Sequence, residues 1–222
     1  MEYRGWMSMR LINLLYRAIN YGFFILFLSI ISDLRHYYVM DTLHLNTAFI
    51  ESIPLSRKAG VQVWLKLENT QPTGSFKIRG IGNLCQQAKE EGRKHLISSS
   101  GGNAGIAVAY AGRHLGIRTT VFVPSTTPPD TIRKIEALGA EVLVKGDVWD
   151  ETNKYAHRIA EKSDSLYISP FDHPLIWEGH STIVDEILNE ADKPDAIILS
   201  VGGGGLLCGV AEGLHKNGLQ DV

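Results

Sequence analysis

The sequence predicts an α/β fold built on a mostly parallel sheet, and three observations carry that expectation. Beyond Gly60, short apolar runs bounded by turn residues alternate with longer stretches of helical periodicity. Glycine- and serine-rich turns join several of those runs to the helices that follow. At 222 residues, with 44% apolar and 21% charged side chains, the chain can bury a substantial core. Alternating strands and helices put helices over a parallel sheet, whose ligands bind at the carboxyl ends of strands.

The elements follow in order. "VQVWLKLE" alternates apolar and polar residues with period two, and "HLISS", "TTVFVP", "EVLVKG", "LYISP" and "DAIILSV" are short apolar runs, so all six read as strands. Helical patterns lie between them, over Phe76 to Glu91, Ala104 to Leu115, Pro129 to Leu138, Trp149 to Lys162, Leu175 to Glu190 and Leu206 to Lys216. The third starts at a proline and stops at Gly139, a pairing that marks helix boundaries. No repeat or low-complexity linker interrupts the series.

Charge and cysteine usage exclude some classes of function. Twenty-two basic and 24 acidic residues are mixed along the chain, for a formal net charge of -2, so no basic face invites nucleic acid. Cys85 and Cys208 lack metal-ligand spacing, no metal site is expected, and the low cysteine count points to a reducing, cytoplasmic setting. Residues 1–39 stand apart as a hydrophobic extension. Their uncharged core, residues 18–32, is 15 residues long, against roughly twenty for a spanning helix. A membrane or signal anchor, an interfacial or packed helix and a non-native extension all remain open, the last being favoured; a globular start is expected at Met40.

Three strand-to-helix loops stand out. In "NTQPTGSFKIRG", Lys77 falls in the first turn of a helix, where the positive end of the helix dipole opposes its charge by about 0.3–1 kcal/mol and lowers its pKa. A neutral amine is what a Schiff-base nucleophile needs; a solvated lysine packed on Phe76 is the plainer alternative. "SSSGGNAG", Ser98 to Gly105, offers backbone N–H groups, serine hydroxyls and the Asn103 amide to a carboxylate or phosphate, or else is a tight turn with capping residues. "SVGGGGLLCGV", Ser200 to Val210, places four glycines between an apolar strand and an apolar helix. That backbone entropy calls for a close approach, and a phosphate held by N–H groups supplies one. No Gly-Lys-Ser/Thr follows, so it is no P-loop.

A phosphate cup, a carboxylate cup and a lysine poised to lose its charge suit pyridoxal phosphate chemistry on an amino acid. "PTGSFKIRG", "SSSGGNAG", "SPFDHPLIWEGH" and "SVGGGGLLCGV" occur in the order and register of the serine/threonine dehydratases of pyridoxal phosphate fold type II, which the chain resembles from Met40 to Val222, most closely the animal L-serine dehydratase and serine dehydratase-like group. The resemblance implies two parallel-sheet domains, with 76–172 in the small one and 40–75 and 173–222 in a large one that is incomplete here. It implies that Lys77 carries pyridoxal 5'-phosphate, Phe76 covers one face of its ring and Asn103 bonds its phenolic oxygen. Gly202, Gly203, Gly204, Gly205 and Leu206 would hold the phosphate, and Ser100, Gly101 and Asn103 the substrate carboxylate.

The implied activity is that of a lyase, converting L-serine to pyruvate and ammonia and L-threonine to 2-oxobutanoate, in amino-acid breakdown that feeds gluconeogenesis. Gly101 departs from the alanine usual in these dehydratases and, lacking a side chain, favours elimination over racemisation. His173 and His180 read as structural, with satisfied hydrogen bonds beside Trp177. The family continues past the point matching Val222 with the pyridine-nitrogen partner and a monovalent cation (K+) site, so the 222-residue chain is expected to have little or no activity. A homodimer is implied for the full-length form. A catalytically inactive binding or regulatory protein, membrane-associated through residues 18–32, and a β-replacement enzyme of the cysteine synthase kind are the alternatives.

Overall fold

The computed structural model describes residues 42–163 and 165–222. The expectations placed on residues 1–39, a membrane contact through 18–32 included, lie outside the described residues. Fourteen elements follow in the described part: β1 (Phe49–Glu51), α1 (Ile53–Ala59), β2 (Trp64–Lys66), a 3-10 turn (Glu68–Thr70), α2 (Lys77–Glu90), β3 (His95–Ser98), α3 (Asn103–Leu115), β4 (Arg118–Val123), α4 (Pro129–Ala137), β5 (Glu141–Val144), α5 (Trp149–Lys162), β6 (Leu166–Tyr167), α6 (Pro174–Glu190) and α7 (Gly205–Lys216).

Four strands form a parallel sheet in the order β5-β4-β3-β6. Ile97 sits opposite Thr120 on one side and Tyr167 on the other. Pleating divides the apolar residues between two faces. Val121 and Val123 meet α3 and α4 through Ala109 and Ile135, while Ile97 and Phe122 meet α5 through Ala156 and Ala160. Leu96 joins the largest cluster, in which Ile78, Ile81 and Cys85 of α2 pack on Ala104, Ala107 and Val108 of α3 and on Ile168 and Ile176. Expected helices and observed ones agree to within a residue or two.

Two expectations need correction. "DAIILSV" forms no strand, and Ile198 within it is 97% exposed; an extended segment needs a neighbour to take its N–H and C=O groups, and none pairs with it among the described residues. "VQVWLKLE" contributes only Trp64–Lys66, antiparallel to β1. Sequence patterning also missed β1, α1 and the 3-10 turn, whose three to seven residues are too short for periodicity to register.

Helices α2, α6 and α7 cross at very short range. A Cβ at Gly80 would lie 2.4 Å from the Ile176 carbonyl oxygen, and one at Gly209 would lie 2.4 Å from the His180 Cβ. The crossing buries His180 completely. His173 behaves as expected, capping α6 by accepting a hydrogen bond from the Leu175 N–H at 3.1 Å. His180 does not: both ring nitrogens are buried with no hydrogen-bond partner among the described residues.

Burial, then the charges of Lys77 and Arg79, pull the His180 pKa down to about 3, and burial together with Arg79 pulls His44 to about 4. Both folded values lie below the unfolded value of 6.5. Above that pH neither group affects stability. As pH falls below it, the unfolded chain takes up protons that the folded chain refuses, so stability drops, by up to about 1.4 kcal/mol per pH unit for each group. Urea unfolding midpoints should therefore fall between pH 6.5 and 4.5, and His180→Leu should flatten that fall. A midpoint constant across this window would contradict the assignment.

Candidate active site

The segment before α2 positions Lys77. Gly74 adopts φ +75°, in the left-handed region, and its N–H donates to the Gln71 carbonyl at 2.7 Å, closing a turn that delivers Ser75, Phe76 and Lys77 to the helix start. Lys77 Nζ donates to the Pro170 carbonyl at 2.5 Å and stands 5.3 Å from the centroid of the Phe76 ring. Burial holds the Lys77 pKa below the usual lysine value. The low pKa expected from the helix dipole thus has a second physical source, desolvation. Next to it, the Ser75 hydroxyl is buried and unpartnered among the described residues.

The loop from β6 to α6 supplies the opposite wall. Ser169 Oγ accepts from the Asp172 N–H at 2.9 Å, and Trp177 Nε1 donates to the Phe171 carbonyl at 2.9 Å. These bonds set the Phe171 ring against the glycine loop, where a Cβ at Gly203 would come within 2.4 Å of it. Gly204 takes φ +86° as the N-cap of α7. Phe76, Lys77, Phe171, Ser200, Gly202, Gly203, Gly204, Gly205, Leu206 and Leu207 enclose a cleft of about 210 Å³. A larger hollow of about 280 Å³, lined by residues such as Arg113, Gly116, Arg118 and Gly139, lies at the amino ends of β4 and β5. It is remote from the strand ends where ligands bind in this fold class, and its arginines are engaged by the Ala137 carbonyl and Glu141.

The structure thus gathers Phe76, Lys77, Gly202, Gly203, Gly204, Gly205 and Leu206 around one cleft. Ser100, Gly101 and Asn103 do not line it; they lie at the carboxyl end of β3, with Asn103 exposed as the first residue of α3. Beneath them Ser99 Oγ is 2.9 Å from Asn153 Oδ1 and 2.8 Å from the Tyr167 hydroxyl, which also bonds Asn153, tying this loop to α5 and β6. Sequence reasoning gave Pro170 and Phe171 no role, although their place just after a strand end was a signal.

A desolvated amine, an aromatic ring beside it, an orphaned serine hydroxyl and free N–H groups at a glycine-lined helix N-terminus suit pyridoxal phosphate. The amine can hold its aldehyde carbon, and the helix start its dianionic phosphate. No cluster of acidic, histidine or cysteine side chains able to hold a metal ion occurs among the described residues.

Comparison with known proteins agrees. The L-serine dehydratase of Dictyostelium discoideum is 48% identical over 195 residues, which cover 81% of this chain and 56% of that protein. The L-serine dehydratase/L-threonine deaminase of Bos taurus is 52% identical over 183 residues, with 81% and 56% covered. A fungal L-serine ammonia-lyase from Rhizomucor miehei superposes with a TM-score of 0.76 at 38% identity, over 82% of this chain and 58% of that one. The chain therefore spans about half the length of the curated relatives it matches. Residues 40–221 match the pyridoxal-phosphate dependent enzyme family, and to that family the chain belongs.

Proposed function

We propose that this chain belongs to a lyase that dehydrates and deaminates L-serine to pyruvate and ammonia, and L-threonine to 2-oxobutanoate. The observation that carries the reading is the cleft in which the desolvated Lys77 amine faces the glycine loop. Bound pyridoxal phosphate supplies an electron sink for the pair left when the substrate Cα–H bond breaks. The chain's own residues do the rest. Lys77 would anchor the cofactor and, once displaced by the substrate amino group, accept the Cα proton at Nζ; burial, which lowers its pKa, favours the neutral amine that this needs. Backbone N–H groups of residues 202–206 fix the phosphate, and Phe76 packs against the ring.

Ser100, Gly101 and Asn103 receive the substrate carboxylate, and Asn103 bonds the cofactor's phenolic oxygen. Loss of the β-hydroxyl as water and later hydrolysis of the enamine return the oxygen balance, giving one pyruvate and one ammonia per serine. The reading extends to a small domain over 76–172, a homodimer and a cytoplasmic setting. Support for the last comes from the free thiols of Cys85 and Cys208. Borohydride reduction with pyridoxal phosphate present, followed by peptide mapping, should place the label on Lys77. Label on another lysine would overturn the assignment.

A further inference from the structure

Gly101 lies in the loop assigned to the substrate carboxylate, and the structure explains why no side chain stands there. A Cβ at this position would fall 2.3 Å from Thr127 Oγ1 and 2.7 Å from its Cγ2. Thr127, from the β4–α4 loop, occupies the space that an alanine or serine at 101 would need.

Its setting is rigid. The Thr127 N–H donates to the Pro124 carbonyl at 3.0 Å, Ser125 Oγ donates to Asp147 at 2.8 Å, and Pro128 and Pro129 follow directly. Thr127 is only 8% exposed, yet its hydroxyl makes no hydrogen bond among the described residues. The hydroxyl has no protein partner to give up on taking a ligand, and it is aimed at the loop that opens α3. That 13-residue helix presents free N–H groups and the positive end of its dipole to the same spot.

We propose that Thr127 donates a hydrogen bond to the substrate carboxylate at the 100–103 loop, and that its bulk is what requires glycine at 101. This rests on the amino-acid lyase reading above and adds to it a substrate-binding residue from a different loop. A donor held by a proline-flanked turn loses little freedom on binding, and its charge-assisted bond to a carboxylate is of the stronger kind.

Two measurements test it. In protein loaded with pyridoxal phosphate, the cofactor's absorbance reports binding of glycine, which has no β-substituent to eliminate, and of ethanolamine, which has no carboxylate. Thr127→Val keeps the shape and removes the donor. It should raise the Kd for glycine by about tenfold or more and leave that for ethanolamine unchanged, while Thr127→Ser should restore glycine binding to within about threefold of the parent. Equal Kd values for glycine in the parent and Thr127→Val, or equal losses for both ligands, would overturn the contact.

Thermal melting of the cofactor-free protein tests the steric half. Gly101→Ala should lower Tm by about 2–10 °C, and adding Thr127→Ala should recover most of that. An undiminished loss in the double variant would overturn the pairing. If the parent neither gains cofactor absorbance nor takes label at Lys77, the lyase reading fails and the carboxylate contact falls with it, while the melting result still decides the Gly101–Thr127 pairing.

Discussion

Arg79→Met should destabilise the protein by about 3–5 kcal/mol, the usual cost of removing one partner from a buried ion pair. Arg79 is 0% exposed, and its guanidinium bonds Glu68 at 2.7 and 2.8 Å and Glu186 at 2.6 and 2.7 Å, with a further bond to Thr182 at 3.0 Å. Against its burial, the hydrogen bonds that Arg79 donates to Glu68 and Glu186 raise the arginine's pKa further, and Glu68 is held below the usual carboxylate value against its own desolvation by accepting from Arg79. Methionine fills much of the volume but leaves two carboxylates with diminished compensation. Lys66, 2.8 Å from Glu186, offsets part of the loss on that side. Adding Glu68→Gln to Arg79→Met should recover part of the stability, because a neutral amide tolerates the site better than an unpaired carboxylate. Urea unfolding measures both steps; a single variant within about 1 kcal/mol of the parent would mean the network is not stabilising. The network ties the 3-10 turn, α2 and α6 together, so its loss should also loosen the helix that presents Lys77.

Gly203→Asp is expected to weaken pyridoxal phosphate binding by more than about a hundredfold, measured by cofactor absorbance or fluorescence. Two effects act in the same direction. Any Cβ at this position lies 2.4 Å from the Phe171 ring, so the loop or the ring must move. A carboxylate also opposes the phosphate: like unit charges about 4 Å apart repel by about 4 kcal/mol at an effective dielectric constant of 20. Gly203→Ala separates the two, since it retains the collision and omits the charge, and should cost clearly less. Unchanged affinity in Gly203→Asp would remove the glycine loop from the phosphate site.

The division between sequence and tertiary structure runs along the range of the interactions. Local patterns are written in consecutive residues. Parallel strands β3 and β4 read as short apolar runs because both of their faces are buried, Ile97 and Phe122 on one side and Leu96 and Val121 on the other. Four consecutive glycines and a lysine at a helix start are equally local, and they led directly to Phe76, Lys77 and residues 202–206, which the fold then brought around one cleft.

What needed the tertiary structure depends on partners distant in the chain. An apolar run at 195–201 carries strand chemistry, but a strand exists only with a neighbour, and this one has none among the described residues. Burial adds to the helix dipole in lowering the Lys77 pKa, and Pro170, 93 residues away, takes its hydrogen bond. His180 reads in sequence as a satisfied histidine and is left unpartnered because three helices close over it at glycine contacts. Gly101 reads as a missing side chain. Only the fold reveals that Thr127 already fills the space, because steric exclusion belongs to atoms that meet in three dimensions and leaves no trace in the residues on either side.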